Sequence, residues 1–79
     1  MFDYTICNYA DRVLFEKQCR AIEQNIIPLQ KDNLLEDVDG TLVQKYQHQK
    51  GSIVVKNDRQ VDALYVQSDF DLRPYFQQN

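Results

Sequence analysis

The stretch that decides the fold runs Thr41-Leu42-Val43-Gln44-Lys45-Tyr46-Gln47-His48-Gln49-Lys50-Gly51-Ser52-Ile53-Val54-Val55-Lys56-Asn57-Asp58-Arg59-Gln60-Val61-Asp62-Ala63-Leu64-Tyr65-Val66-Gln67. It holds three runs of β-branched and aromatic residues separated by short polar segments of hairpin length, the pattern of consecutive antiparallel strands. The first run is Thr41 to about His48, closed by the turn Gln49-Lys50-Gly51. The second is Ser52 to Lys56, followed by the polar loop Asn57 to Gln60. The third is Val61 to Gln67, with Val61, Ala63 and Tyr65 facing one way and Leu64 and Val66 the other.

Working outward, Phe2 to Cys7 alternates with Phe2, Tyr4 and Ile6 on one face and predicts another strand. After the turn residues Asn8 to Asp11 the period changes. Phe15, Cys19, Ile22 and Ile26 fall on one stripe of a helix from Arg12 to about Ile26, and Glu16–Arg20 is an i, i+4 pair on its other side. Pro28 ends the helix, because the residue before a proline is pushed out of helical geometry. Leu29 to Val38 reads two ways. Asn33 followed by Glu36 fits a capping box, and a short extra helix near 31–37, or an irregular segment, leading into Asp39-Gly40 is the preferred reading. Leu34, Glu36 and Val38 also suit the first arm of a hairpin that turns at Asp39-Gly40. Beyond Ser68, Leu72 to Phe76 is a tail packed on the core, and 77–79 are expected to be disordered.

The fold expected is therefore an α+β two-layer sandwich spanning 1–76, in the order β-α-β-β-β. One main helix packs on a mostly antiparallel sheet of about four strands. Composition agrees. The chain has 79 residues, is 43% hydrophobic and 27% charged, and carries a formal charge of -3. That is enough apolar material for one small core, and too little chain for a multidomain enzyme. No apolar run approaches the ~20 residues of a membrane span. Phe2 to Tyr4 lacks the basic and apolar regions of a secretory signal, and Cys7 and Cys19 read as two buried thiols, so a cytoplasmic setting is expected.

The motif Asp37-Val38-Asp39-Gly40-Thr41-Leu42 resembles the first motif of haloacid-dehalogenase-type phosphatases. The resemblance implies Asp37 as phosphoryl-accepting nucleophile, Asp39 as general acid/base, and a magnesium ion held by both. It covers six residues, and the chain departs from the family around them. Lys31 to Glu36 is too polar for the buried parallel strand that precedes that motif. The residues after Thr41 cannot supply further βαβ units of about 30 residues each. A hairpin turn at Asp39-Gly40 is the reading adopted. As a calcium loop the same segment places Leu35 and Tyr46 where carboxylates are required. Zinc lacks a ligand set, since His48 is the single histidine and the two cysteines have no second pair. Cys19 lies on the apolar stripe, so its pairing with His48 as a catalytic dyad is set aside. No cofactor is expected.

Charge is unevenly distributed. Lys45, Lys50, Lys56 and Arg59 face Asp58 alone within 41–60, whereas Asp32, Glu36, Asp37 and Asp39 face Lys31 alone within 31–40. Asp69 and Asp71 add to an acidic C-terminal block. No residue pattern names a biochemical function. The expectation is a small acidic, non-catalytic protein-interaction module, an inhibitor, immunity or accessory factor, that meets a basic partner through Asp32, Glu36, Asp37, Asp39, Asp69 and Asp71. The alternative is a nucleic-acid or nucleotide binder using Lys45, Tyr46, His48, Lys50, Lys56 and Arg59, a mix that can stack bases and hold phosphates. The net negative charge opposes that alternative. Small size and the apolar Tyr65, Val66, Phe70, Leu72, Tyr75 and Phe76 also suit a homodimer formed through the open sheet face or the C-terminal segment.

Overall fold

A computed structural model describes residues 1–76 of the chain; the tail expected at 77–79 lies outside the described residues. Six strands and two helices follow one another as β1 (Phe2–Cys7), α1 (Arg12–Asn25), β2 (Gln30–Lys31), β3 (Leu35–Glu36), β4 (Leu42–His48), β5 (Gly51–Asp58), β6 (Ala63–Ser68) and α2 (Arg73–Phe76). All pairings are antiparallel, in the order β1-β6-β5-β4-β2, with β3 also against β4. The α+β class and single main helix agree with the sequence reading, whereas the strand count exceeds it.

The helix forms where its stripe predicts. Leu14 N–H donates to the Asp11 carboxylate at 3.0 Å, which satisfies one of the free donors of the first turn. Phe15, Cys19, Ile22 and Ile26 are all buried. Glu16 pairs with Arg12 at 3.5 Å, rather than with Arg20 as the spacing suggested. Beneath the helix, alternation sends Leu42, Gln44 and Tyr46 of β4, Ile53, Val55 and Asn57 of β5, and Leu64, Val66 and Ser68 of β6 into the core. Facing rows such as Tyr4–Val66–Val55–Gln44 run across the sheet. The opposite face carries the rows Asp3–Gln67–Val54–Lys45 and Thr5–Tyr65–Lys56–Val43–Leu35, with no element of the described residues over it.

The short helix expected near 31–37 is replaced by an edge strand in two pieces. Lys31 faces Tyr46 and Leu35 faces Val43, so one extra residue is accommodated between β2 and β3 as a bulge. Gln44 makes this workable. Its buried side-chain amide donates to the carbonyl oxygens of Asp32 and, at 3.1 Å, Lys45, supplying a partner where the ladder is interrupted. So short a helix begins with an unfavourable nucleus, whereas the free edge of β4 offers this segment ready-made partners. β5 also runs on through Asn57 and Asp58, residues expected to form the loop. The β5–β6 turn instead spans 59–62, with Asp62 at φ 54°. Asn57 is held in the strand because its side chain accepts the Asp11 N–H at 2.8 Å.

The C-terminal segment packs on the molecule as expected, through Leu72, which is buried, and the one-turn helix α2. Phe70 stacks on His48 with ring centroids 4.9 Å apart, and Tyr75 meets both rings edge-on at about 6 Å. Both cysteines are free thiols. Cys19 is buried and Cys7 half-buried, and burial pushes the Cys19 thiol up.

Candidate functional site

The two turns at one end of the sheet bring acidic side chains together. In the β3–β4 connection Gly40 N–H donates to the Asp37 carbonyl at 3.0 Å, and Asp37 N–H donates to the Thr41 carbonyl at 2.9 Å. Gly40 sits at φ 90°, a left-handed conformation that favours glycine. The carboxylates finish the turn. Asp37 accepts Val38 N–H at 2.8 Å, and Asp39 accepts Thr41 N–H at 2.9 Å. Those Thr41 contacts hold the Asp39 carboxyl below the ordinary carboxylate range. Val38, at the tip, is fully exposed. The Thr41 hydroxyl oxygen also accepts Arg59 N–H at 3.0 Å, which ties this turn to the neighbouring β5–β6 turn.

Asp58 anchors that second turn. Its Oδ1 accepts Gln60 N–H at 2.9 Å and Val61 N–H at 3.3 Å, while Oδ2 accepts the Tyr65 hydroxyl at 3.3 Å and lies 3.5 Å from Lys56 Nζ. Burial opposes ionisation of Asp58, yet the two backbone donors, the Lys56 ammonium and the Tyr65 hydroxyl outweigh it and hold the carboxyl below its ordinary value. Lys56 is correspondingly pushed up: desolvation acts against its charge, and Tyr65 and Asp58 prevail.

Between the turns lies an open hollow of about 300 Å³. Glu36, Asp37, Asp39 and Asp58 line it, with Lys56 as its cation and Leu35 and Val43 as its apolar floor. Four carboxylates against one ammonium leave it electronegative. Among the described residues, no group of three His, Cys, Asp or Glu side chains is arranged to hold a metal ion. The Asp37 and Asp39 carboxylates are engaged with the backbone of their own turn, the role the hairpin reading assigned to this motif.

The remaining acidic residues lie elsewhere. Asp32 sits at the edge-strand bulge, where Gln47 reaches it at 3.4 Å. Asp69, at the other end of the sheet, accepts Ser52 N–H at 2.9 Å and occupies the space beside Gly51. Asp71 forms a forked pair with Arg73 at 2.8–3.2 Å and accepts the Tyr4 hydroxyl at 3.0 Å. Arg73, through its guanidinium and then its backbone N–H, holds this carboxyl far below the usual range, and Tyr4 adds to the effect. Asp69 and Asp71 are thus tied into the chain's own C-terminal segment.

The basic set is dispersed. Tyr46 is completely buried against α1, where its hydroxyl donates to Glu23 at 2.5 Å. His48 is stacked on Phe70, and Lys50 Nζ lies 5.7 Å from the centre of the Tyr75 ring. Lys45 and Lys56 are diagonal neighbours on the uncovered face, and Arg59 is in the far turn. Strand alternation explains the scatter: Lys45 and Tyr46 are adjacent in sequence and must point to opposite faces.

Two features escaped the sequence reading. Asp58 reads as a loop residue offsetting lysines, although an Asp whose carboxylate can accept the N–H two residues on is a recognisable cap for the turn that follows it. The His48–Phe70–Tyr75 cluster joins residues distant in sequence, so no local spacing announces it. Comparison with protein-family models, with curated proteins and with solved structures returns no match.

Proposed function

We propose that the chain is a small acidic, non-catalytic protein-interaction module whose Glu36–Asp39 turn and Asp58 receive a basic partner protein. The observation that carries this reading is the electronegative hollow between the two turns, with Val38 exposed beside it. Carboxylates fixed by backbone donors need little reordering on association, and their field speeds encounter with a cationic surface. The dispersal of the lysines and the burial of Tyr46 weigh against the nucleic-acid alternative. The free thiols Cys7 and Cys19 suit a reducing compartment such as the cytoplasm.

The test immobilises the wild-type chain and the triple variant Glu36→Gln/Asp37→Asn/Asp39→Asn and titrates each with a lysine- and arginine-rich peptide at low and high salt. The substituted amides keep the oxygens that accept the turn N–H groups, so the fold is retained. Binding that is salt-sensitive, lost in the triple variant and kept in Asp69→Asn supports the reading. Equal binding by all three proteins overturns it. So does steep salt-dependent binding of a mixed-sequence oligonucleotide that disappears in Lys45→Glu/Lys50→Glu.

A further inference from the structure

We propose that two copies of this chain associate through β1, which pairs antiparallel with the partner's β1 about a twofold axis at Tyr4 and so continues the sheet from one copy into the next. The proposal goes beyond the acidic hollow, which borders β3 at the other side of the sheet and stays free in such a dimer.

The two borders of the sheet are finished differently. Beside β4 the border is cut into the two-residue strands β2 and β3, bulged between them and set with Lys31, Asp32 and Glu36. Short strands, bulges and charges are the devices that keep an edge from pairing. On the other border β1 runs for six residues with neither lysine nor proline; Asp3 is its single charge, and its one bulge, between Thr5 and Cys7, leaves the run Phe2 to Thr5 regular. Its outer row of N–H and C=O groups has no strand beside it among the described residues. Such a row is complementary to another strand.

The β1 sequence is complementary to itself. Pairing centred on Tyr4 sets Tyr4 opposite the partner's Tyr4 and Asp3 opposite the partner's Thr5, and brings Phe2 against the partner's Ile6 at the bulge. Phe2 and Tyr4 share the helix side of the sheet with Ser68 and Val66, and Asp3 and Thr5 share the uncovered side with Gln67 and Tyr65. Apolar groups therefore meet apolar groups, a carboxylate meets a hydroxyl, and no like charges face one another.

The surroundings supply contact area. A bulge between Thr5 and Cys7 leaves Ile6 42% exposed, and Ile6, Tyr4, Leu72 and Phe76 flank an apolar groove of about 240 Å³ beside the border. Met1, Phe2 and Phe76 are 84%, 38% and 36% exposed. At about 200 Å² for a large side chain, these four expose about 400 Å² per copy, or about 800 Å² for the pair before the strand backbones are counted. Specific interfaces begin near ~1,200 Å² in total, so the dimer is weak and depends on concentration.

Sedimentation equilibrium between about 5 and about 500 µM tests this, a range that brackets micromolar association. The mean mass is expected to rise from 9.4 kDa toward twice that value. Ile6→Lys, checked for an unchanged circular dichroism spectrum, dimerises at least about tenfold more weakly, and Leu35→Lys on the opposite border dimerises as the wild type does. The register is read independently by mixing Asp3→Cys with Thr5→Cys, both in a Cys7→Ser background, under mild oxidation. Disulfide-linked heterodimers well above the twofold excess over each homodimer that random pairing gives are expected, whether or not Ile6→Lys folds. A wild-type mass that stays monomeric, an effect of Leu35→Lys larger than that of Ile6→Lys, or heterodimers at or below the twofold excess of random pairing overturns the proposal.

Discussion

Replacing Tyr46 by Phe removes one oxygen from the centre of the fold and leaves the packing volume nearly unchanged. That oxygen joins the sheet to the helix. The hydroxyl donates to the Glu23 carboxylate at 2.5 Å, and Lys31 Nζ holds the same carboxylate oxygen at 3.0 Å from the edge strand. Burial of Glu23 opposes its ionisation, but Tyr46 and Lys31 outweigh it and hold the carboxyl below its ordinary value. A hydrogen bond to a charged group contributes about 1.5–3 kcal/mol. The Glu23 side chain is 34% exposed and keeps Lys31, so in the variant it regains water rather than standing unpaired. The lower end applies, about 1.5 kcal/mol. In a domain of this size that lowers the melting temperature by about 6–12 °C. Urea denaturation of Tyr46→Phe, Glu23→Gln and the double variant measures the coupling, which is expected near 1 kcal/mol. The folded-state pKa of Glu23 is depressed, so this stability is present above its unfolded value near ~4.3 and disappears as pH falls through the folded value. The difference between wild type and Tyr46→Phe therefore shrinks in acid. A Tyr46→Phe variant within about 0.5 kcal/mol of wild type at pH 7, or strictly additive single changes, refutes the reasoning.

Other consequences are equally concrete. A Cβ at Gly51, where φ is 142°, meets the Asp69 Cβ at 2.6 Å, whereas at Gly40 its nearest neighbour is the Arg59 Cγ at 3.8 Å. Gly51→Ala is expected to cost about 2–3 kcal/mol and Gly40→Ala about 1 kcal/mol; melting curves that rank them equally contradict this. Asp58→Asn retains one acceptor for the turn but loses the Lys56 pair, and is expected to cost about 1–2 kcal/mol with faster hydrogen exchange at Gln60 and Val61. Unchanged exchange there removes Asp58 as the anchor of the turn. Glu23, Asp39, Asp58 and Asp71 all have depressed folded-state values, so stability is highest above the unfolded carboxylate range near ~4 and is lost as pH drops through it. Stability that increases between about pH 5 and pH 3 contradicts that sign.

The candidate site was half legible. Glu36, Asp37 and Asp39 lie close together in sequence on a turn that Asp-Gly announces, so their grouping needed no tertiary information. Asp58 enters the same hollow only because β4 and β5 pair in a register that sets Leu42 opposite Asn57 and brings the two turns side by side. Asp69 and Asp71 looked equivalent to the others by charge. Their contacts with Ser52, Tyr4 and Arg73 separate them, and those contacts depend on where the C-terminal segment lands. Lys45 and Tyr46 suggest one mixed surface by composition, yet the strand alternation of the same run divides them between two faces.

By itself the sequence determined the long helix, the three long C-terminal strands and the reversal at Gly40, because each rests on a period or a turn residue confined to a few neighbours. The fate of 30–36 was decided in the assembled molecule. Its local preference for a short helix was weak, and the open edge of β4, lined with unsatisfied backbone groups and backed by Gln44, was the stronger competitor. Which carboxylates share a surface and which are consumed internally was likewise settled by strand register and by the docking of Leu72 to Phe76. Those contacts span much of the chain, and no local pattern encodes them.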